Sequence, residues 1–359
     1  MAKQNKLSNA ECLRWMNPIL VALRQLGGEA KVKDIYNTIS INEHLTSQEL
    51  SVSRGKTGIN KYKNNIQFAR TYLKYMGYLA PSERGVWKLS KLGYTVEMTD
   101  ELASNIFKRA FTEFVYHSEY YKWMDFYKVI SFELLKYKTN RLELIKKLKN
   151  IYKEPNLRLP YFLKNKDFND IDPFTVFALF NTKNEQRSKI VENISYIFDI
   201  DSKLIPSNFD GIPTISSDSF IIALKTEYKY NTENIDTLWN LFECSMKYSK
   251  YKDDKFKIEL IYLYNKVQSM YKDKLLLTIG LHWIRPNTYI ALTDEIYDFI
   301  SNIDDMFRPV SNMISEVYKP NFDGNKYIDL CLALDKEIFT GTYKYRSFAQ
   351  LDYYIFNNK

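Results

Sequence analysis

Glycine and proline are scarce in this chain, at 11 and 10 of 359 residues. With so few turn punctuators and many helix formers, the sequence favours a mainly helical protein. Cysteine is rarer still. Cys12, Cys244 and Cys331 are odd in number and far apart, which excludes a disulfide framework. The three histidines, His44, His117 and His282, are equally dispersed. No CxxC, HxxxH or HExxH spacing occurs, so neither a metal nor any other cofactor is expected. The opening MAKQNKLSNAE has no apolar core of the kind a signal peptide needs. No run of about eighteen uncharged apolar residues follows, so no membrane span is expected. These absences point to a cytoplasmic, reducing setting.

What is present is enough to fold. Apolar residues make up 45% and charged residues 26%, which excludes overall disorder. At roughly 150 residues per domain, the length suggests two or three domains. Tyr, Asn, Lys and Ile are abundant together, as an A+T-rich coding sequence would produce, so the 29 tyrosines carry no functional weight by count.

The charge is unevenly placed. Residues 1–95 hold fifteen Lys/Arg against six Asp/Glu, whereas the remainder holds 36 against 37. All of the net excess of +8 therefore belongs to the first quarter. Between residues 51 and 91 the only acid is Glu83, against nine basic groups. A domain with so one-sided a field attracts polyanions, with an affinity that falls steeply with salt.

Residues 9–26 place Leu13, Met16, Ile19, Leu20, Leu23 and Leu26 on one helical stripe, with Asn9 as a cap and Gly27-Gly28 as the stop. A second short helix fits Val32–Ile39. A polar loop through Thr46–Asn60 precedes a third helix from Lys61 to Tyr75. On that helix Tyr62, Ile66, Ala69, Leu73 and Met76 recur at three- and four-residue steps and predict a buried face. The opposite face would present Asn60, Asn64, Gln67, Thr71 and Lys74, flanked by Lys63 and Arg70. After Gly77, two β-prone runs around Ser82–Gly85 read as a hairpin with Arg84 and Lys88 near its tip. Trp87 and Tyr72 read as core residues.

Three helices and a hairpin in that order describe a winged helix. Its third helix would enter a major groove and its wing would follow the backbone. Asn64, Gln67, Arg70 and Thr71 suit base edges. Lys61, Lys63, Lys74, Arg84 and Lys88 suit phosphates, which position the protein without specifying sequence. At NIQFARTYLKYMGYLAPSERGVWKLSKLG the chain resembles the N-terminal winged-helix domain of Mrr-type restriction proteins. The likeness rests on Ala69–Lys74, the Gly77/Leu79 helix exit, and Arg84-Gly85-Val86-Trp87 before Ser90 and Gly93. It covers about a quarter of the chain.

From Glu101 to Asn150 the sequence is helical and rich in lysine and aromatics. That texture fits the solvated face of an aromatic-cored bundle better than a nucleic-acid groove. Beyond it, DPFTVFALFN, NFDGIPTI, DTLWNLFE and IGLHWIRPNTYIALT occur in the order that resembles the N-terminal recognition region of McrB-like restriction GTPases. Residues 275–293 read as strand–turn–strand around Pro286-Asn287. The C-terminal GTYKYRSFAQLDYYIF resembles the segment that leads into the motor of those proteins. The resemblance implies recognition of a target or of a modified base flipped from the duplex, with Asn181, Phe209, Asp210, Trp283 and Arg285 as candidates. It also implies a partner AAA+ GTPase and an McrC-like nuclease.

Gly55-Lys56-Thr57 lacks the earlier glycine of a P-loop, so no nucleotide hydrolysis is expected here. Glu227-Tyr228-Lys229, with Asp218 or Asp210 upstream, has the outline of a restriction-type nuclease site. Glu29-Ala30-Lys31 is a second such tripeptide, and two are what composition alone predicts. The expectation is an α+β, predominantly α protein with a winged helix at 1–98, a basic helical region at 99–170 and an α+β recognition domain at 171–359. It would be a non-catalytic DNA-recognition component of an McrBC-like restriction system. A transcription regulator with a C-terminal sensor or dimerisation domain, or a metal-dependent nuclease, is the rival.

Overall fold

The computed structural model describes the chain apart from residues 1–10, 55–57, 116–119, 155, 183–184, 224–231, 272, 274, 303–307, 342 and 359. Its contacts divide into two units, residues 1–116 and 117–359. The Gly55-Lys56-Thr57 and Glu227-Tyr228-Lys229 tripeptides, and the Asn9 cap, lie outside the described residues. The chain is α+β and predominantly α, with its described strands confined to the first unit.

The first unit opens with a 3₁₀ turn, Leu13–Trp15, which leads into α1 (Met16–Gln25). Strand β1 (Glu29–Lys31) and helix α2 (Val32–Asn42) follow. The stretch expected to be a plain polar loop holds α3 (Ser47–Ser51) and a two-stranded ribbon, β2 (Ser53–Arg54) with β3 (Ile59–Asn60). Thr46 and Glu49 start α3 with a capping box: each side chain satisfies a backbone N–H of the other. Helix α4 spans Lys61–Tyr75 as the apolar spacing predicts. It ends where Gly77 takes φ +78, a conformation costly for a side chain with a Cβ. Tyr78 N then donates to Leu73 O at 2.9 Å.

Strands β4 (Leu79–Ala80) and β5 (Val86–Leu89) form the hairpin, and Gly85 at φ +85 completes its tip. Strand β5 is central, antiparallel to both β1 and β4, with Ala30 opposite Trp87 and Leu79 opposite Leu89. Trp87 and Leu89 point inward and Lys88 outward, the period-two alternation of a half-buried strand. The core gathers Ile19, Leu20 and Leu23 of α1, Ile35 and Ile39 of α2, and Ile66, Ala69 and Leu73 of α4. Leu26 and Met76 close the two predicted stripes but are only half-buried, because each is the residue just past its helix end.

After the short α5 (Lys91–Thr95) comes α6 (Asp100–Val115), which packs on α4 and on the opening 3₁₀ turn. Phe107 meets Tyr72 edge to face at 5.4 Å. The sequence puts a boundary at residue 98. The contacts carry the first unit past it to residue 116, because α6 covers the side of α4 that holds Tyr72.

Among its described residues the second unit has helices and no strand. It contains α7 (Lys122–Leu135), α8 (Arg141–Ile151), α9 (Tyr161–Lys164), α10 (Pro173–Ala178) and α11 (Arg187–Ile197). A 3₁₀ turn, Ser202–Leu204, separates these from α12 (Ser219–Ala223), α13 (Thr232–Tyr251), α14 (Asp254–Gln268) and α15 (Leu276–Ile284). The remaining helices are α16 (Asp294–Asn302), α17 (Arg308–Ile314), α18 (Gly324–Thr340) and α19 (Phe348–Asn357). One continuous core runs from Trp123 to Ile355, so α7 and α8 share an interior with the helices beyond residue 171.

The strand–turn–strand expected at 275–293 is corrected by this interior. Leu276–Ile284 is a helix, and eight of its nine residues are buried. A run covered on every side has no polar face, and its spacing then cannot separate a strand from a buried helix. Gly280 permits the close approach, since a Cβ there would stand 2.5 Å from Phe174. Asp172, 1% exposed, caps α10 by accepting from Phe174 N and Thr175 N, each at 2.9 Å.

Helix α15 is tied to the C-terminal helix by a buried pair, with His282 Nε2 3.1 Å from Asp352 Oδ2. Histidine Nδ1 faces Tyr289 O at 2.9 Å. Burial raises the Asp352 carboxyl above its ordinary range, against the opposing pull of His282. A carboxyl raised in the folded state holds its proton more tightly there than in the unfolded chain. Its contribution to stability is therefore present at low pH and is lost as the pH rises through the folded value. Asp352→Asn is expected to flatten the decline in unfolding free energy upward from about pH 4. Denaturant titrations across pH would show it, and an unchanged pH profile would refute the assignment.

Candidate nucleic-acid interface

With Tyr62, Ile66, Ala69, Tyr72 and Leu73 facing the core, the rotation of α4 about its axis is fixed. Lys63, Gln67, Thr71 and Lys74 are exposed on the far side, and Asn64 and Arg70 are half-exposed at its edges. The structure thus brings together most of the side chains that the sequence singles out. Asn60 is an exception: it is the helix cap, with Oδ1 accepting from Lys63 N at 2.9 Å. Asn65, inside the same run of amides, is buried and donates to Glu11 Oε2 at 3.2 Å.

The exposed residues differ in how they are held. Gln67 Nε2 donates to Tyr36 Oη at 2.7 Å, and Thr71 Oγ1 donates back to Gln67 O at 2.9 Å. Lys63 Nζ lies 6.0 Å from the centre of the Tyr36 ring, and the Arg70 guanidinium lies 5.5 Å from that of Trp87. Arg70 Nε is buried with no acceptor among the described residues. Tyr36 supports this face from behind, and sequence spacing does not reveal it, because it lies on α2, thirty-one positions from the residue it holds.

The expected phosphate-binding cations fall into two groups. Lys61 is paired with Glu11 at 2.8 Å, and Lys88 with Glu29 at 2.6 Å across the β1–β5 register. Hydrogen bonding to Glu29 raises the Lys88 ammonium above its ordinary value. Lys74, in the last turn of α4, and Arg84, at the hairpin tip, are exposed and make no ion pair with a described residue. Phe68, 46% exposed, adds an aromatic ring on the same helix.

The candidates of the second unit are placed otherwise. Asn181 is fully buried: Oδ1 accepts from Tyr127 Oη at 2.6 Å and from Arg187 Nη2, while Nδ2 donates to Phe177 O at 2.9 Å. Arg187 also donates to Phe180 O at 2.7 Å, and its guanidinium lies 4.4 Å from the centre of the Phe209 ring. Asn181 and Phe209 are therefore joined through Arg187, whose role nothing in its spacing marks. Asp210 accepts from Asn208 Nδ2 at 2.9 Å. Trp283 is fully buried, donates to Pro213 O at 2.9 Å, and stacks on Phe177. Arg285 lies over the Phe132 ring at 5.3 Å, and burial lowers its guanidinium to about 10.

Hydrogen bonds so fully committed make Asn181 a structural hub in this state. Truncating it leaves the Tyr127 hydroxyl and a buried cation short of an acceptor. Asn181→Ala is expected to cost about 3 kcal/mol of stability by chemical denaturation. A change below about 0.5 kcal/mol would contradict that role.

Residues 13–97 match the Mrr N-terminal domain. Residues 123–349 match a second family, described as a domain of unknown function (DUF8425). That match lends no support to the McrB likeness read from the motifs of the same region. No curated protein and no solved structure matches the chain. The second match covers well over half of the sequence and takes in most of the helical core, and on that ground the chain belongs to the DUF8425 family.

Proposed function

We propose that the first unit binds double-stranded DNA as a winged helix, with α4 in the major groove and the β4–β5 hairpin along the backbone. The observation that carries this reading is the outer face of α4. Lys63, Gln67, Thr71 and Lys74 are exposed there together, on the one part of the chain with a large positive excess. Amide and guanidinium groups flanked by lysines supply both base-edge and phosphate contacts. The order of elements, with a three-stranded antiparallel sheet of order β1-β5-β4 behind the helix, supports the same reading.

The match to the Mrr N-terminal domain supports a place in restriction of foreign DNA. In this reading the chain is the recognition component, and an AAA+ GTPase and an McrC-like nuclease are the partners that move and cut the DNA. That part rests on the motif resemblance alone. The chain itself would not cleave: purified protein with duplex and Mg²⁺ should leave the DNA intact, and cleavage lost in Glu227→Ala would reverse this assignment.

Anisotropy titrations of the full chain with labelled duplex at several salt concentrations test the binding. Removing Lys74 and Arg84 together is expected to reduce the magnitude of the log–log salt slope by about 2. Lys88→Ala should reduce it less, because Glu29 already neutralises that ammonium. Failure of the intact protein to bind duplex in dilute buffer would overturn the proposal.

A further inference from the structure

Gln67 lies midway along the exposed face of α4, and among the described residues it is the one amide there held by a side chain of another helix. A free glutamine samples many rotamers, and ordering it against a ligand costs entropy. Here Tyr36 Oη accepts from Nε2 at 2.7 Å. Tyr36 is in turn fixed from three sides. Its ring meets Trp87 edge to face at 6.1 Å and Tyr62 at 5.9 Å, and its carbonyl accepts from Tyr62 Oη at 2.8 Å. The hydrogen bond thus connects an exposed amide to the aromatic core.

Two cations bracket the same pair of rings. Lys63 lies over Tyr36 and Arg70 over Trp87, so positions 63, 67 and 70 of α4 all meet this edge-to-face pair of rings. With one N–H committed to Tyr36, Gln67 keeps Oε1 and a second N–H for a partner. That is the acceptor–donor pair that the N6 amino group and N7 of adenine require in the major groove.

We propose that Tyr36 is a positioning residue for duplex recognition, holding the Gln67 amide so that it selects an A·T pair. The inference rests on the DNA-binding reading above and adds to it the base and the residue that orients its reader. Tyr36→Phe keeps the ring and its packing and removes only the hydroxyl.

The test uses the full chain and its best site from a pool of randomised duplexes. Affinities for that site, and for versions with single A·T pairs changed to G·C, are measured for wild type, Tyr36→Phe, Gln67→Ala and the double variant. Wild type is expected to favour A·T at one position by about tenfold, and Tyr36→Phe to cut this to about twofold. Affinity for random duplex and its salt slope should stay unchanged, and Tyr36→Phe should add nothing in the Gln67→Ala background. Thermal melting confirms that each variant is folded. Full preference in Tyr36→Phe, or preference absent from wild type, would overturn the proposal. A uniform loss of affinity for all duplexes would also overturn it, by making the hydroxyl a phosphate contact. If wild type binds no duplex, the DNA-binding reading itself falls and the positioning role falls with it.

Discussion

Burial of Tyr62, Ile66, Ala69 and Leu73 sets the rotation of α4 about its own axis. Each large side chain in that row contributes about 1.5–3 kcal/mol when fully covered, and a turn of the helix by one residue would expose several of them. No polar interaction on the outer face approaches that sum, so the core decides which side chains reach solvent. Lys63, Gln67, Thr71 and Lys74 share a surface for this reason. The sheet completes the constraint, because Trp87 and Leu89 of β5 form part of the floor of the same core.

The second unit follows a different rule. Its interior is large and continuous, and several of the polar groups that the sequence singles out are engaged inside it. Asp172 caps α10, Asn181 joins Tyr127 to Arg187, and Trp283 donates to Pro213 O. A buried polar atom without a partner costs more than a hydrogen bond returns, so the groups that look most chemical in the sequence are the ones most committed to the fold. The thiols follow the same logic. Cys12, Cys244 and Cys331 are all buried, and burial raises the thiols of Cys244 and Cys331 to about 12, which makes them poor nucleophiles.

Much of the first unit was legible in its spacing. A helix with one apolar stripe, a glycine at its exit and an alternating strand each carry a local signature, and α4, Gly77 and β5 answer to them. The capping box of Thr46 and Glu49 was also legible as a pattern, although the surrounding polarity reads as loop. What spacing did not carry was the partner of each charge. Lys61 and Lys88 look like Lys74 in the sequence, but Glu11 and Glu29 stand beside them in the fold. Tyr36 escaped for the same reason, being joined to Gln67 only through space.

The sequence by itself determined the predominantly helical class, the concentration of positive charge in the first quarter and the face of α4 that must be buried. These depend on composition and on contacts within a few residues, which local physics fixes. Tertiary structure alone decided that Leu276–Ile284 is a helix, that α6 belongs to the first unit, and that Asn181 and Trp283 are interior. Whether a side chain is covered depends on elements far away in the chain, and a run that is apolar on every side says only that it will be covered, not in which conformation.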